Sequence, residues 1–274
     1  MKITLSYSVK GFGMEHISHY IDLTSLKDDK SDNIKELLEL ASHNSEYVPA
    51  AICTWPEHIR ECYSQTHKFL KSQKPSFAAV LNFPSGKEDK VKVHNDCVFL
   101  TEDEYVEEID YVFDWQTWKS GKKDLALSKL KEIESFFYLR SDIKVILESG
   151  AFIDDLESLR NMCREILNLN GVASFLKTST GKYPVGATPE TARVIMEEVF
   201  AHNNRKQTAD PLTVPCGVKI SGGVKTKEDA DLFLNMAAEI FGKEWVTPEN
   251  FRIGASSLYE EVCDIKLQHN SYQY

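Results

Sequence analysis

The sequence has few of the features that mark metal-binding, membrane-embedded or nucleic-acid-binding proteins. Its six cysteines are scattered, with no CxxC pair and no histidine cluster at zinc-ligand spacing, so we expect no metal site. No apolar run approaches the length of a membrane span, and residues 1–9 lack the apolar core of a signal peptide. The net charge of −10 disfavours binding to nucleic acid or to anionic membranes. A cytoplasmic protein with reduced thiols is therefore the expectation.

The fold class follows from the alternation of short β-like runs with amphipathic helical stretches, which is typical of parallel sheets. The G-x-G-x-x-G fingerprint of dinucleotide-binding doubly wound sheets does not occur, although such a sheet is the structural alternative. Eight strand-helix units in 274 residues match a (β/α)8 barrel. We therefore predict an α/β protein, a TIM barrel with a single domain over residues 1–274.

The predicted elements are bounded by turn residues and helix caps. Strands are expected at Tyr20–Thr24, Ala50–Thr54, Phe77–Phe83, Ile109–Phe113, Ile143–Leu147, 172–177, Gly217–Ile220 and Phe251–Ala255. Helices are expected over 31–42, 55–70, 87–107, 121–137, from Asp154 or Asp155 to Leu167, from Pro189 to about His202, after the capping box of Thr226 and Asp229, and after Ser257. The polar segment Asn203–Pro215 contains Pro211 and is predicted to be a loop.

A lysine ends the sixth predicted strand, in the stretch 175–182 that reads FLKTSTGK. Strand residues alternate between faces, so Lys177 shares a face with Ala173 and Phe175 and points into an interior. Burial disfavours an ammonium group, and a neutral lysine amine attacks carbonyl carbons. Lys177 is therefore a candidate Schiff-base nucleophile. A lysine that reaches from the strand end toward water is the simpler alternative.

Alternation predicts that further charged residues share the barrel interior with Lys177. The helix-facing residues of the runs are mostly aliphatic, whereas the opposite face carries Asp22, Asp110, Lys144, Lys177 and Lys219. A second ammonium near Lys177 favours the neutral amine, and we assign this role to Lys219. Asp110 is then the general acid/base, while Asp22 and Lys144 orient and balance the charges. A structural ion-pair network is the alternative interpretation.

Three loops that follow the last three strands are rich in glycine and hydroxyl residues. They contain the segments 180–182 (TGK), 221–223 (SGG) and 254–257 (GASS). Loops at this end of a barrel commonly bind phosphate, because glycine lets the backbone approach an anion closely, and Lys182 adds positive charge. We therefore expect a phosphorylated ligand.

With these residues identified, the sequence resembles the deoxyribose-phosphate aldolases, the class I aldolases of the DeoC family. The matching segments run in order through nearly the whole chain, and they are 21–24, 51–53, 82–84 with Gly86, 108–110, 144–148, 175–182, Lys219 with 222–224, and 254–258. The resemblance implies a cofactor-free TIM barrel that reversibly cleaves 2-deoxy-D-ribose 5-phosphate into D-glyceraldehyde 3-phosphate and acetaldehyde, in the catabolism of deoxyribose phosphate. It also implies a homodimer, because members of the family often form dimers.

The resemblance also implies roles for single residues. Lys177 matches the Schiff-base lysine, Lys219 the lysine that perturbs it, and Asp110 the proton-relay carboxylate, while Asp22 and Lys144 match supporting charged positions. The positions that contact phosphate correspond to Gly181, Lys182, Gly222, Gly223, Ser256 and Ser257. The chain ends in Tyr274, and in some members a terminal tyrosine reaches back to the active site.

The sequence departs from the family pattern after the fourth strand. Asp114 stands where the family usually has proline or asparagine, which predicts an extra carboxylate near Asp110, and Trp115 and Trp118 enlarge the following loop. A related enzyme that uses the same lysine on another phosphorylated aldehyde or ketose is therefore a second hypothesis. A non-catalytic protein that binds phosphorylated sugars is a third, although a binding protein has no use for a perturbed lysine.

Overall fold

The computed structural model describes residues 17–26, 32–42, 47–69, 74–208 and 212–263, and it has the predicted architecture. Eight parallel strands pair in chain order and close into a barrel, so the (β/α)8 TIM barrel is confirmed. The strands are β1 (Ile21–Thr24), β2 (Ala51–Thr54), β3 (Ser76–Leu81), β4 (Glu108–Val112), β5 (Asp142–Ile146), β6 (Phe175–Lys177), β7 (Gly217–Ser221) and β8 (Phe251–Ala255). Their bounds agree with the predicted runs to within about two residues at most ends.

Nine α-helices in these residues surround the barrel. They are α1 (Asp32–Ser42), α2 (Ile59–Phe69), α3 (Lys90–Thr101), α4 (Trp115–Lys119), α5 (Lys123–Phe137), α6 (Leu156–Leu167), α7 (Pro189–Thr208), α8 (Lys227–Phe241) and α9 (Ser257–Val262), with 3-10 turns at Ser18–Tyr20, Pro56–His58, Ser149–Phe152 and Lys243–Trp245. The predicted helices over 31–42 and 55–70 include Ser31 and Leu70, which lie outside the described residues. Helix α4 was not predicted.

The predicted helix starts depend on side-chain caps, and the structure contains them. Asp155 accepts a hydrogen bond from the Ser158 backbone N–H at the start of α6. Thr226 and Asp229 form the complete capping box of α8. Because each cap satisfies backbone donors that the first turn leaves unpaired, these short polar motifs fix where the helices begin.

One predicted loop is wrong in part, because α7 continues to Thr208 instead of ending near His202. Asn203 explains the difference, since its side chain donates to the Cys216 carbonyl and accepts from the Cys216 N–H, both at 2.9 Å. The His202 ring lies 2.9 Å from the Val214 carbonyl. These long-range contacts hold a polar turn in helical form, whereas the sequence shows only its polarity. Residues 209–211, including Pro211, lie outside the described part.

Strand register brings the charged residues to the same side of the barrel wall. Asp110 pairs with Lys144 across β4 and β5, and Lys177 pairs with Lys219 across β6 and β7. Paired residues of parallel strands point to the same face. The residues predicted to face the helices are buried in the large core between sheet and helices, and they are Ile21, Leu23, Ile109, Ile143, Val145, Leu176, Val218 and Ile220. The face assignment is therefore correct, and the charged face is the lumen.

Candidate active site

The five predicted charged residues meet inside the barrel. Asp22, Asp110, Lys144 and Lys219 are fully buried, and Lys177 is 3% exposed. Lys177 lies at the C-terminal end of β6, which is the end where barrels of this kind place their active sites. The alternative in which Lys177 reaches out to solvent is excluded.

Asp110 lies between two of the lysines. Its Oδ2 accepts from Lys177 Nζ and from Lys219 Nζ, each at 2.6 Å, and its Oδ1 lies 3.5 Å from Lys144 Nζ. Oδ1 accepts no hydrogen bond from any residue that the structure describes. Asp110 therefore holds Lys177 and Lys219 with one oxygen and keeps the other available for proton exchange.

Asp22 organises the deeper part of the same group. Its Oδ2 accepts from Lys144 Nζ at 2.6 Å and lies 2.6 Å from Lys219 Nζ in an ion pair, and its Oδ1 accepts from Arg252 Nη1 at 2.8 Å. Asp22 and Asp110 thus share Lys219 between them. The two aspartates and the lysines form a continuous chain of ion pairs from β1 to β6.

Sequence reasoning missed two members of this group, Glu108 and Arg252. Glu108 accepts a hydrogen bond from Lys144 Nζ, and its Oε1 lies 3.2 Å from Arg252 Nη2. Alternation could have found both, because Glu108 is two residues before Asp110, and Arg252 pairs in register with Lys219. We call the complete set the lumen cluster, and its members are Asp22, Glu108, Asp110, Lys144, Lys177, Lys219 and Arg252.

The cluster gives its lysines different protonation behaviour. Burial lowers the pKa of Lys177, and the Lys219 ammonium adds to this effect, although the Asp110 carboxylate opposes it. Burial also disfavours the charged forms of Lys219 and Lys144. For both lysines, nearby carboxylates outweigh the effect of burial. Asp110 and Asp22 raise the pKa of Lys219, and chiefly Asp22 and Glu108 raise the pKa of Lys144. Lys177 is therefore the amine that loses its proton most readily.

The two aspartates of the cluster stay ionised. Burial by itself would raise the pKa of Asp110, but the surrounding lysines, Lys177 first, lower it below its ordinary value. The pKa of Asp22 is likewise lowered against the effect of burial by Lys144, Lys219 and Arg252. Both groups therefore carry a negative charge at neutral pH.

A cavity of about 480 Å³ opens above Lys177. Its walls include every residue predicted to contact phosphate, and these are Gly181, Lys182, Gly222, Gly223, Ser256 and Ser257. The cavity therefore joins the candidate nucleophile to the three small-residue loops, as the loop positions predicted. Their contact with phosphate is a prediction that the geometry permits.

The loops after β6 and β7 are fixed to one another. Ser179 Oγ donates to the Ser221 carbonyl, and Ser221 Oγ donates to the Ser179 carbonyl. Gly222 has a φ of +84°, and a Cβ at this position would lie 2.7 Å from Ser179 Oγ, so a larger residue does not fit. The backbone at Gly222 can therefore line the cavity directly.

A buried glutamate supports the loop after β6. Glu148 has a left-handed backbone with φ 52°, and its Oε2 accepts from Thr180 Oγ1 at 2.6 Å. Thr180 Oγ1 in turn accepts from the Lys182 backbone N–H at 3.1 Å. Sequence reasoning assigned no role to Glu148. The structure shows that it holds the segment on which Gly181 and Lys182 lie.

The predicted extra carboxylate does not join the lumen cluster. Asp114 caps α4 by accepting from the Thr117 N–H, and its Oδ2 lies 2.6 Å from Lys129 Nζ. Strand β4 ends at Val112, so alternation no longer applies at position 114. Trp115 packs edge-on against Phe152 and Tyr183. The sequence-based placement of Asp114 near Asp110 was wrong. The terminal Tyr274, which the sequence suggested could reach the active site, lies outside the described residues.

Comparisons with solved structures agree with this architecture. A structure described as QR15, an aldolase, is 28% identical, with a TM-score of 0.65 over 90% of this chain and 96% of that one. A deoxyribose-phosphate aldolase from Aeropyrum pernix, described as tetrameric, is 22% identical, with a TM-score of 0.64 over 93% and 94% of the two chains. A protein from Toxoplasma gondii ME49, provisionally assigned as a deoxyribose-phosphate aldolase, is 19% identical, with a TM-score of 0.76 over 92% and 93%.

These likenesses show that the fold is shared with proteins named as deoxyribose-phosphate aldolases. No protein-family model matches the sequence. Across the described ranges, no helix is long and apolar enough to span a membrane. The same residues contain no group of three or more histidine, cysteine or acidic side chains arranged to hold a metal ion.

Proposed function

We propose that this protein is a class I aldolase that reversibly cleaves 2-deoxy-D-ribose 5-phosphate into D-glyceraldehyde 3-phosphate and acetaldehyde. The observation that carries the proposal is the position of Lys177. Its pKa is lowered by burial, it is hydrogen-bonded to Asp110, and it lies at the base of a cavity walled by three glycine- and serine-rich loops. The names of the structural neighbours support the same reaction class.

The first chemical step uses the neutral amine of Lys177. It attacks the aldehyde carbon C1 of the open-chain sugar and forms a carbinolamine. Loss of water, with a proton supplied through the Asp110 and Lys219 pair, gives an iminium ion on Lys177. The Lys219 ammonium, 2.6 Å from Asp110, is placed to return protons to that carboxylate.

The iminium ion then accepts the electrons of the bond that breaks. Asp110, directly or through one water, takes the proton of the C3 hydroxyl, the C2–C3 bond breaks, and D-glyceraldehyde 3-phosphate leaves. The remaining enamine is protonated at C2 and hydrolysed, which releases acetaldehyde and restores the Lys177 amine. Asp22 and Lys144 hold Lys219 and Asp110 in place and keep the cluster close to neutral.

The remainder of the cavity is suited to the phosphate. Gly181, Gly222 and Gly223 leave backbone groups open to the cavity, and Lys182 supplies an exposed cation. Ser256 and Ser257 add hydroxyl groups at the start of α9. A phosphate bound there lies at the opposite end of the sugar from the carbon that reacts with Lys177.

Reductive trapping tests this proposal. Borohydride added with acetaldehyde should leave an N-ethyl group on the peptide that contains Lys177 and should abolish turnover. Lys182 is the matched control, because it lines the same cavity but is exposed and should stay unmodified when reagent is limiting. An adduct elsewhere, or none, would contradict the mechanism.

A substrate panel separates the related hypotheses. Preference for a donor other than acetaldehyde would favour an enzyme that acts on another phosphorylated aldehyde or ketose. Stabilisation by a phosphorylated sugar without turnover would favour the non-catalytic binding protein. The position of Asp114 in the helix layer removes the main reason to expect an altered substrate.

A further inference from the structure

The lumen cluster has a lower layer that the proposed reaction does not use directly. Arg252 donates through Nη1 to Asp22 at 2.8 Å and through Nη2 to Glu108 at 3.2 Å, and its Nε donates to the Pro248 carbonyl. Its guanidinium carbon lies 5.7 Å from the centroid of the Phe175 ring. Arg252 is therefore a fixed and well-packed cation, and it cannot lose its proton under ordinary conditions.

The cluster contains one more basic group than it has acidic groups. Its cationic positions are Lys144, Lys177, Lys219 and Arg252, four in all, and its carboxylates are Asp22, Glu108 and Asp110, three in all. A buried set of charges is least costly when it is close to neutral. One of the four basic groups should therefore be uncharged.

The contacts identify Lys177 as that group. Within the part of the chain that the structure describes, Lys144, Lys219 and Arg252 each contact at least two carboxylates. Lys177 contacts one, Asp110, and shares its Oδ2 with Lys219. Lys177, at the base of the cavity, is therefore the lysine with the fewest carboxylate contacts.

We propose that Arg252 is a positioning residue for the reaction: by occupying Asp22 and Glu108 it commits Asp110 to Lys219 and leaves Lys177 as the uncharged member of the cluster. The inference rests on the function proposed above. If a neutral residue replaced Arg252, the three carboxylates of the cluster would face only the three lysines. Asp22 and Glu108 would then suffice for Lys144 and Lys219, and Asp110 would be free to hold a protonated Lys177.

The other ionisable groups close to Lys177 do not upset this balance. Cys53 on β2 lies in the lumen beside it, and burial raises the pKa of that thiol to about 12, so it is neutral. Glu148 lies outside the lumen cluster: it directs both carboxylate oxygens to Thr180, it forms no ion pair with any residue that the structure describes, and burial raises its pKa. The count of charges thus depends on the seven residues of the lumen cluster.

The test follows the pH dependence of imine formation at Lys177. Protein is mixed with acetaldehyde and cyanoborohydride, and the rate of modification of the Lys177 peptide is measured from pH 5 to pH 9 by mass spectrometry. In Arg252→Met, Lys177 should stay protonated to higher pH. The rising limb of the plot of modification rate against pH should therefore move to higher pH by about one pH unit, and the rate at pH 7 should fall roughly tenfold. In Glu108→Gln the surplus of cations in the lumen cluster grows, so the rising limb of the rate profile should move to lower pH.

Two further variants separate charge balance from packing. The double variant Arg252→Met with Glu108→Gln again has one basic group in surplus, so its limb should return toward that of the wild type. Arg252→Lys keeps the charge and should also lie close to the wild type. Arg164→Met removes one positive charge from the helix layer and should leave the limb in place, which controls for the net charge of the protein.

The outcomes are distinct. A wild-type protein with no adduct at Lys177 refutes the proposed function, and this inference falls with it. An adduct whose pH limb is the same in wild type and Arg252→Met overturns the inference alone. A shift in the same direction for Arg252→Met and Glu108→Gln would also overturn it, because loss of packing, not charge, would then be the cause. If Arg252→Met fails to fold by circular dichroism, Glu108→Gln and the double variant decide.

Discussion

Two clusters of ion pairs in this molecule are built differently, and the difference separates a structural role from a chemical one. The lumen cluster contains three lysines, and the pKa of one of them, Lys177, is lowered. The helix-layer cluster, made by Arg160, Arg164, Glu197 and Glu198 on α6 and α7, uses only arginine as its cation. Arginine stays protonated, whereas a lysine without a carboxylate of its own becomes a nucleophile.

The two clusters also differ in the solvent exposure of their cationic side chains. Glu198 accepts from Arg160 Nη1 and Arg164 Nε, both at 2.7 Å, and the arginines reach solvent, with side chains 25% and 49% exposed. Water can therefore stabilise any charge left unpaired there. In the lumen no such relief exists, because the lysines are essentially fully buried. A surplus of charge in the lumen must change a protonation state.

The largest expected effect is that of Lys177→Leu. Because the substitution removes the proposed nucleophile, aldol cleavage should fall by on the order of 10⁴-fold or more. The cluster then holds three cations and three carboxylates, so circular dichroism and thermal unfolding should show a retained fold. Residual cleavage near the wild-type rate would place the chemistry on another residue.

The second prediction concerns Lys219→Met, which changes the pH profile as well as the rate. Lys219 helps to lower the pKa of Lys177, and its loss leaves the Oδ2 atom of Asp110 to Lys177 alone. The pKa of Lys177 should rise, so the active amine appears only at higher pH and kcat/KM at pH 7 should fall about 10²-fold.

A kcat/KM profile from pH 6 to pH 10 checks this expectation. Part of the lost activity should return as the pH rises through the new pKa of Lys177. A uniform loss at every pH would instead indicate that Lys219 acts mainly in proton transfer.

The smallest expected effect is that of Arg164→Met in the helix-layer cluster. Arg164 is half-exposed, so water screens its ion pair with Glu198, and the pair should contribute little to the free energy of unfolding. Activity and its pH profile should match those of the wild type within about twofold, whereas chemical denaturation should detect a small loss of stability. An altered pH profile in Arg164→Met would contradict the assignment of a purely structural role to the helix-layer cluster.

Much of the fold and of the site could be predicted because strand alternation is a local property. It placed Asp22, Asp110, Lys144, Lys177 and Lys219 in the lumen, and the structure brings all five together. Glu108 lies one residue before the predicted fourth strand, and Arg252 stands between two apolar residues of β8, so the charged pattern of the predicted strands did not include them.

The remaining differences come from contacts between distant residues. The last turns of α7 are helical because Asn203 binds Cys216 across a connection whose path the sequence does not specify. Asp114 turns to Lys129, fifteen positions along the chain, because β4 ends two residues before it. Periodicity carries no information about either contact.

The reciprocal hydrogen bonds between Ser179 and Ser221 have a thermodynamic consequence for ligand binding. Hydrogen bonds within the protein join the two loops that carry Gly181 and Gly222, and the Ala187 N–H also donates to the Gly222 carbonyl at 2.9 Å. The entropy lost in ordering this part of the cavity is therefore lost when the chain folds, not when an anion arrives. Such preorganisation lets weak individual contacts add up to useful affinity.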